Sequence, residues 1–519
     1  MQEELVLKIG QMICAGFPSP FFDDQARRMV EKYRVGNFVL FARNFNNTEQ
    51  TCNLCNDLSE NVHKITGYAP LIAVDQEGGA VSRIYDGGAL IPGAMAISAS
   101  HTDKTYDIGR NTGKILKAMG INTDFAPVLD ININPQNPII GTRSFGDTSE
   151  VVEKYGLQMF HGLQKEGIIT GVKHYPGHGN VNADSHLGIP INTVSREVLK
   201  KTEWMPFERA FEEGAEALMT SHVKYKYVDN EYPSTLSYKI MTELLRKEHG
   251  FKGVAITDCM EMGAIADAYG IGEGTVRAIE AGCDILTFSH TFSAVEEAVL
   301  SIYQALETGR ITPNRIEESY MRIIQLKERH GLVHYTSVDA KEADNLIHNK
   351  FTQQINSSVA FDSITLLKDC GGIDAIAHGM PRFFAPLSLA LTGAEDEKKE
   401  KLSFSKLAAE VFGGQGIDIP LNKCDNATEN AINGVYDVAV IGLYNARFRT
   451  GQIDVLRKLE ASGKTLIVLL LGAPYDMSLI KRADAIIAAY EYTPLSVHAL
   501  IEAISKKQFN GIYPLKMNK

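Results

Sequence analysis

At 519 residues the chain is too long for one compact core, and two or three domains are expected. Hydrophobic residues at 44% and charged residues at 22% are ordinary for a globular protein, while a formal net charge of −11 argues against nucleic acid or anionic membranes as partners, because both need a basic footprint. The strongest apolar run, residues 466–473, is less than half of the ~20 residues that a membrane span needs. Met1-Gln2-Glu3-Glu4 is acidic where a secretory signal carries cations. The seven cysteines are odd in number and thinly spread. Cys52 and Cys55 fall in a predicted helix, residues 48–63, with no second pair at zinc-finger spacing. Reduced, structural thiols and a cytoplasmic location are therefore the expectation.

In chain order, short apolar runs at residues 37–41, 71–74, 122–126, 168–173, 217–220, 253–257 and 284–288 read as strands. Stretches such as 196–213 and 242–248 between them read as amphipathic helices. Repeated βα alternation means a parallel sheet. Seven visible units over ~330 residues suit a (β/α)₈ TIM-type barrel with one strand still to be found. A helix over 315–329 ends at His330-Gly331, which closes a catalytic domain of residues 1–332. Residues 333–349 are polar and weakly patterned and read as a linker. Apolar strands at 364–367, 438–441, 466–471 and 485–488 then predict a smaller α/β/α sandwich domain over residues 350–519. The charge run at 395–401 within it reads as a solvated helix or loop tip.

The reactive side chains gather where barrel strands end. Lys173-His174-Tyr175-Pro176-Gly177-His178-Gly179, followed by Asp184-Ser185-His186, packs one lysine, three histidines and one carboxylate into 14 residues behind an apolar strand. The strand at 71–74 runs into Asp75-Gln76-Glu77-Gly78-Gly79, with Arg83 beyond. These are two carboxylates and an arginine suited to clamping a polyol. Phe125-Ala126-Pro127-Val128-Leu129-Asp130 is followed by Gly141-Thr142-Arg143-Ser144-Phe145-Gly146-Asp147. Strand 217–220 ends in Ser221-His222, and strand 253–257 ends in Asp258. Five strand ends of this character predict an active site at the C-terminal mouth of the barrel.

These segments, in this order, resemble the signatures of glycoside hydrolase family 3. More narrowly they resemble its β-N-acetylglucosaminidase branch, which includes the β-hexosaminidases of bacterial cell-wall recycling. The resemblance spans residues 35–290, and Ser363-Ile364-Thr365-Leu366-Leu367-Lys368 resembles the opening of the family's second domain. It implies that Asp258 is a catalytic nucleophile, that His186 is the acid/base and that Asp184 orients it. It also implies that Asp75, Arg83, Arg143, Lys173 and His174 hold the terminal N-acetylglucosamine. His222, at another strand end, joins the candidate substrate-binding set. Three positions depart from the usual pattern: Ala80 where arginine is frequent, Asn180 where aspartate is common, and Cys259 where aspartate often follows the nucleophile. None removes a catalytic group.

The chemistry fits those roles. A retaining glycosidase needs a carboxylate nucleophile and a nearby proton donor. A histidine, with an unperturbed pKa of ~6.5, can donate near neutrality. Asp184, two residues away, can fix the tautomer of His186. A deprotonated histidine is neutral and repels phosphate far less than a glutamate would, so phosphorolysis to a sugar 1-phosphate is the alternative to hydrolysis. A metal-dependent barrel hydrolase, with His174, His178, His186, His222 and Asp258 as ligands, is the reading from another class. Pro176-Gly177 gives His174 and His178 no set direction, and no compact His-x-His pair opens the first strand, so no metal and no cofactor are expected. A silent sugar-binding protein would lack a catalytic group, and none is lacking. The expected partner is a small carbohydrate ending in N-acetylglucosamine, with inorganic phosphate for the phosphorolytic alternative. The sequence specifies no oligomeric state.

Overall fold

A computed structural model describes residues 2–186, 188–390, 392–396 and 401–516. Eight parallel strands close a barrel. They are β1 (Ile13–Ala15), β2 (Asn37–Leu40), β3 (Leu71–Val74), β4 (Thr123–Asp124), β5 (Ile169–Tyr175), β6 (Ala217–Thr220), β7 (Val254–Cys259) and β8 (Ile285–Phe288). Neighbours in the barrel are neighbours in sequence, and β8 returns to β1 through Ile13 opposite Leu286. Strands of a closed parallel barrel are covered on both faces, one by the barrel interior and the other by helices. For that reason they read as unbroken apolar runs rather than as alternations. The eighth strand, missing from the sequence reading, is β1. It has three residues and follows directly on the helix Gln2–Gln11, so its run is too short to stand out.

Local signals place the outer helices. Asn47 caps Thr48–Thr66 by accepting from the Gln50 N–H, and Gly67 ends that helix at φ 82°. Cys52 and Cys55 are buried in it as free thiols. Thr312 caps Pro313–Arg329, with proline in its first turn.

The second domain is a six-stranded sheet of β9 (Thr365–Asp369), β10 (Pro381–Ala385), β11 (Gln415–Asp418), β12 (Val438–Leu443), β13 (Thr465–Leu470) and β14 (Ala485–Ala488). Its order is β9-β14-β13-β12-β10-β11, with only β9 antiparallel. β10 and β11 lie outside the four strands that the sequence pattern indicated. β11, Gln-Gly-Ile-Asp, has no fully buried residue, which is why it carries no apolar signal.

The two domains are joined by structured chain. Within the segment read as a linker, helix Ala340–Ile347 buries Ala343 and Ile347 in the barrel core. Asn56 there exchanges hydrogen bonds with the backbone of Val338 at 2.9 and 3.1 Å. In return, the barrel-side helix Ala94–Ala99 sends Met95, Ala96 and Ala99 into the core of the second domain. Glu491 accepts from the Gly93 N–H at 3.0 Å, and the Asn132 amide donates to the Tyr475 hydroxyl at 2.7 Å. This shared core fixes the second domain over the barrel mouth.

Candidate active site

The strand ends surround a cavity of about 340 Å³. Of the nine predicted site residues, all but Asp184 and His222 line it. Its floor is a chain of alternating charges. Lys173, on β5, lies 2.6 Å from Asp75 Oδ1 and 2.6 Å from Glu77 Oε1, both just beyond β3. Arg143 grips Glu77 in a fork, Nε to Oε2 and Nη2 to Oε1, each at 2.8 Å. Arg83 donates to Asp75 at 3.1 Å. Burial opposes the charge on Asp75 and Glu77, but Lys173 with Arg83, and Arg143 with Lys173, outweigh it and hold both carboxyls below the usual carboxylate range. Preorganised charges of this kind are fixed donors and acceptors for sugar hydroxyls and an acetamido group.

His174 adjoins this network. Its Nδ1 lies 2.6 Å from Asp130, and its Nε2 lies 3.3 Å from Arg143 Nη2. Arginine can only donate, so Nε2 accepts and the ring proton sits on Nδ1. Asp130 also accepts from the backbone N–H of His174 at 3.2 Å and of His178 at 2.6 Å, which fixes the bend after β5. Gly179 is required in that bend, because a Cβ there would lie 1.8 Å from the carbonyl oxygen of Ile131. Burial, reinforced by His174, pushes the His178 imidazole down to about 4.

Asp258 emerges near the end of β7. Burial disfavours its charge, but the fields of His222, His174 and His186 prevail, so it is held below its ordinary value as a carboxylate. His186 lies on the loop after β5. Its Nδ1 donates to Asp184 Oδ1 at 2.8 Å, leaving Nε2 for a reacting group. The loop is pinned beside β7 because the N–H groups of Gly263 and Ala264 donate to the carbonyls of His186 and Ser185 at 3.3 and 3.2 Å. Ser185 Oγ lies 3.1 Å from His178 Nε2 and ties the loop back to β5. An ionised carboxylate and an oriented imidazole on one cavity can perform nucleophilic attack and proton transfer.

The structure places His222 elsewhere than the sequence reading did. Its Nε2 donates to the Cys259 carbonyl at 3.0 Å, and its Nδ1 lies 2.8 Å from the Thr235 hydroxyl. It stands behind Asp258 and steadies the strand end instead of facing the cavity. Conversely, Glu77 and Asp130 belong to the network but lie outside the nine predicted site residues. Their Asp-x-Glu and strand-end positions were the available signal. The charge run read as solvated also has a different fate at its start, since Glu395 and Asp396 line the cavity together with Gly393 and Ala394 just before them. Arg83 Nη1 donates to Asp396 Oδ2 at 3.2 Å and to the Ala394 carbonyl at 3.0 Å. Residues 397–400 lie outside the described residues. Among the described residues, no group of three or more His, Cys, Asp or Glu side chains is arranged to hold a metal ion. No helix among them is long and apolar enough to cross a membrane.

Comparison with known proteins agrees with this geometry. The chain is 28% identical over 513 residues to β-hexosaminidase A of Pseudoalteromonas piscicida, covering 89% of this chain and 84% of that protein. It is 35% identical over 284 residues to a β-hexosaminidase of Neisseria meningitidis serogroup B, covering 53% of this chain and 76% of that one. Its fold superposes with a TM-score of 0.92, at 32% identity and over 99% of both chains, on a solved glycoside hydrolase family 3 β-N-acetylglucosaminidase from Paenibacillus sp. str. FPU-7. Residues 4–326, the whole barrel with the strand ends just described, match the glycosyl hydrolase family 3 N-terminal domain. The chain is a glycoside hydrolase and belongs to family 3.

Proposed function

We propose that this enzyme is a retaining β-N-acetylglucosaminidase that releases terminal N-acetylglucosamine from β-linked amino-sugar oligosaccharides, such as cell-wall or chitin fragments. The observation that carries the reading is the pairing of an ionised Asp258 at the end of β7 with a His186 oriented by Asp184 on a loop bonded to the helix start after β7. In the first step Asp258 attacks the anomeric carbon while His186 protonates the departing oxygen, and a glycosyl-aspartate forms. In the second step the neutral imidazole takes a proton from the incoming acceptor, whose oxygen displaces the aspartate. Asp75, Arg83, Arg143, Lys173 and His174 hold the sugar ring, with Glu77 fixing the two cations beside it. Contacts to that ring that tighten in the transition state lower the barrier.

Water is the acceptor that the lining favours. Six carboxylates (Asp75, Glu77, Asp258, Glu261, Glu395, Asp396) line the cavity against three Lys and Arg side chains, Arg83, Arg143 and Lys173. Each of those cations is already paired with a carboxylate, so a phosphate dianion meets net negative charge. The free cysteines suit a reducing compartment, and we infer a cytoplasmic site of action. The test is product analysis of N,N′-diacetylchitobiose cleavage with and without inorganic phosphate. Free N-acetylglucosamine is expected in both. Accumulation of N-acetylglucosamine 1-phosphate would make the enzyme a phosphorylase, and no cleavage of this or related disaccharides would overturn the substrate class.

A further inference from the structure

The barrel supplies the charged floor of the site, but the last piece over His186 comes from the second domain. Residues 392–396 run across the cavity mouth as a strap. An ideal Cβ placed on Gly393 would lie 2.4 Å from His186 Cδ2, 2.7 Å from Cγ and 2.8 Å from Nε2. Side-chain atoms do not approach that closely, so a Cβ at position 393 would push the imidazole out of this position. The ring is thus held on two sides by two domains, at Nδ1 by Asp184 of its own loop and along its Cδ2 edge by Gly393.

The strap is itself anchored to both domains. Towards the barrel, Arg83 donates to the Ala394 carbonyl at 3.0 Å, and the Ala42 N–H donates to Asp396 Oδ2 at 2.9 Å. Towards the second sheet, the Tyr444 hydroxyl, just beyond β12, donates to Glu395 at 3.3 Å, while within the strap the Thr392 hydroxyl donates to the other Glu395 oxygen at 3.2 Å. We propose that this strap is a positioning element for the acid/base histidine: by packing Gly393 against the imidazole, the second domain restricts His186 to the orientation that delivers its proton. The inference rests on the assignment of His186 as the acid/base.

The physical need is plain. His186 keeps 28% of its side chain accessible and sits on a loop, so Asp184 alone fixes one end of the ring and leaves it free to swing about that hydrogen bond. General acid catalysis requires the donor nitrogen within about 2.6–3.2 Å of the leaving oxygen. A displacement of about 1 Å costs on the order of 10²-fold in rate.

The experiment compares full-length wild type, Gly393→Ala, Asp396→Ala and His186→Ala on two substrates. One is N,N′-diacetylchitobiose, whose leaving group needs a proton. The other is a dinitrophenyl N-acetylglucosaminide, whose leaving group does not. Gly393→Ala is expected to lose on the order of 10²-fold in kcat on the disaccharide, with KM little changed and the first step on the dinitrophenyl substrate nearly spared. Asp396→Ala, which loosens the strap without adding an atom, should show the same leaving-group dependence at smaller size. It keeps the test decisive if Gly393→Ala fails to fold. Equal losses on both substrates, or no loss on the disaccharide, would overturn the proposal. If His186→Ala shows the leaving-group dependence and the strap variants do not, only the strap inference fails. If His186→Ala damages both substrates alike, the acid assignment falls with it.

Discussion

Lys173 and His186 are close in sequence and opposite in surroundings. Lys173 stands at a strand end, 2% exposed, with carboxylates at 2.6 Å on two sides. His186 stands on a loop, 28% exposed, with one carboxylate at 2.8 Å. In the proposed mechanism the contrast separates two tasks. Holding a neutral sugar by its hydroxyls needs dipoles and charges that do not move, and strand ends of a closed barrel provide them. Delivering a proton to a leaving group and then receiving one from the acceptor needs a group open to both. A partly exposed loop provides that, at the cost of a less determined position.

The largest effect expected anywhere in the site is at the barrel end of this contrast. Asp258→Asn preserves shape but removes the covalent path, so turnover should fall by about 10⁴-fold or more while the melting transition stays in place. More than a few per cent of wild-type kcat in a clean preparation would remove Asp258 from the nucleophile role.

At the rim, His186→Ala should cost about 10²–10⁴-fold on a disaccharide and little in the first step on an activated phenol. Deglycosylation then becomes limiting, and azide should rescue it as a glycosyl azide. Without that rescue, the rim would be shaping the loop and the proton would come from elsewhere.

Stability should rank the two regions in reverse. Lys173→Met leaves Asp75 and Glu77 buried and facing each other, a change on the order of 3–5 kcal/mol for a broken buried pair. His186→Ala, in a partly open loop, should cost less than about 1 kcal/mol. Denaturant unfolding of the two variants compares them directly, and equal costs would mean that the floor is not a coupled network.

A further effect, read through pH alone, concerns His178, which joins floor to rim through Asp130 and Ser185. The fold resists protonating it until about 4, whereas the unfolded chain takes up that proton near ~6.5. The unfolded state therefore binds more protons in this window. The stabilisation, at most about 3 kcal/mol, is fully present above the unfolded value and is lost as pH falls from ~6.5 towards the folded one. Asp75, Glu77, Asp130 and Asp258, held low in the fold, add their losses below the usual carboxylate range. A denaturant midpoint unchanged between pH 7 and pH 4.5 would contradict a buried neutral imidazole.

Much of the fold could be read from the chain because barrel strands buried on both faces leave compact apolar runs, five of them with reactive residues at the end. β1 and β11 escaped because three residues or an unburied edge leave no such run. The segment at 333–349 looked like a linker because helix Ala340–Ile347 buries only two of its eight residues.

Asp75, Lys173, His174, Asp184, His186 and Asp258 could be singled out as candidates from sequence, since each is marked by its immediate neighbours: a strand end, a glycine turn, or an Asp and His two residues apart. Tertiary structure alone decided what those residues meet. Glu77 reaches Arg143 across 66 positions of chain, and Arg83 reaches Ala394 across 311. Whether His222 faces the sugar or the backbone behind Asp258, and whether the start of a charge run is solvated or lines the site, depend on barrel closure and on the docking of the second domain. Local sequence encodes local geometry. Which distant charges neutralise one another is set only when the strands close and the second domain settles over their ends.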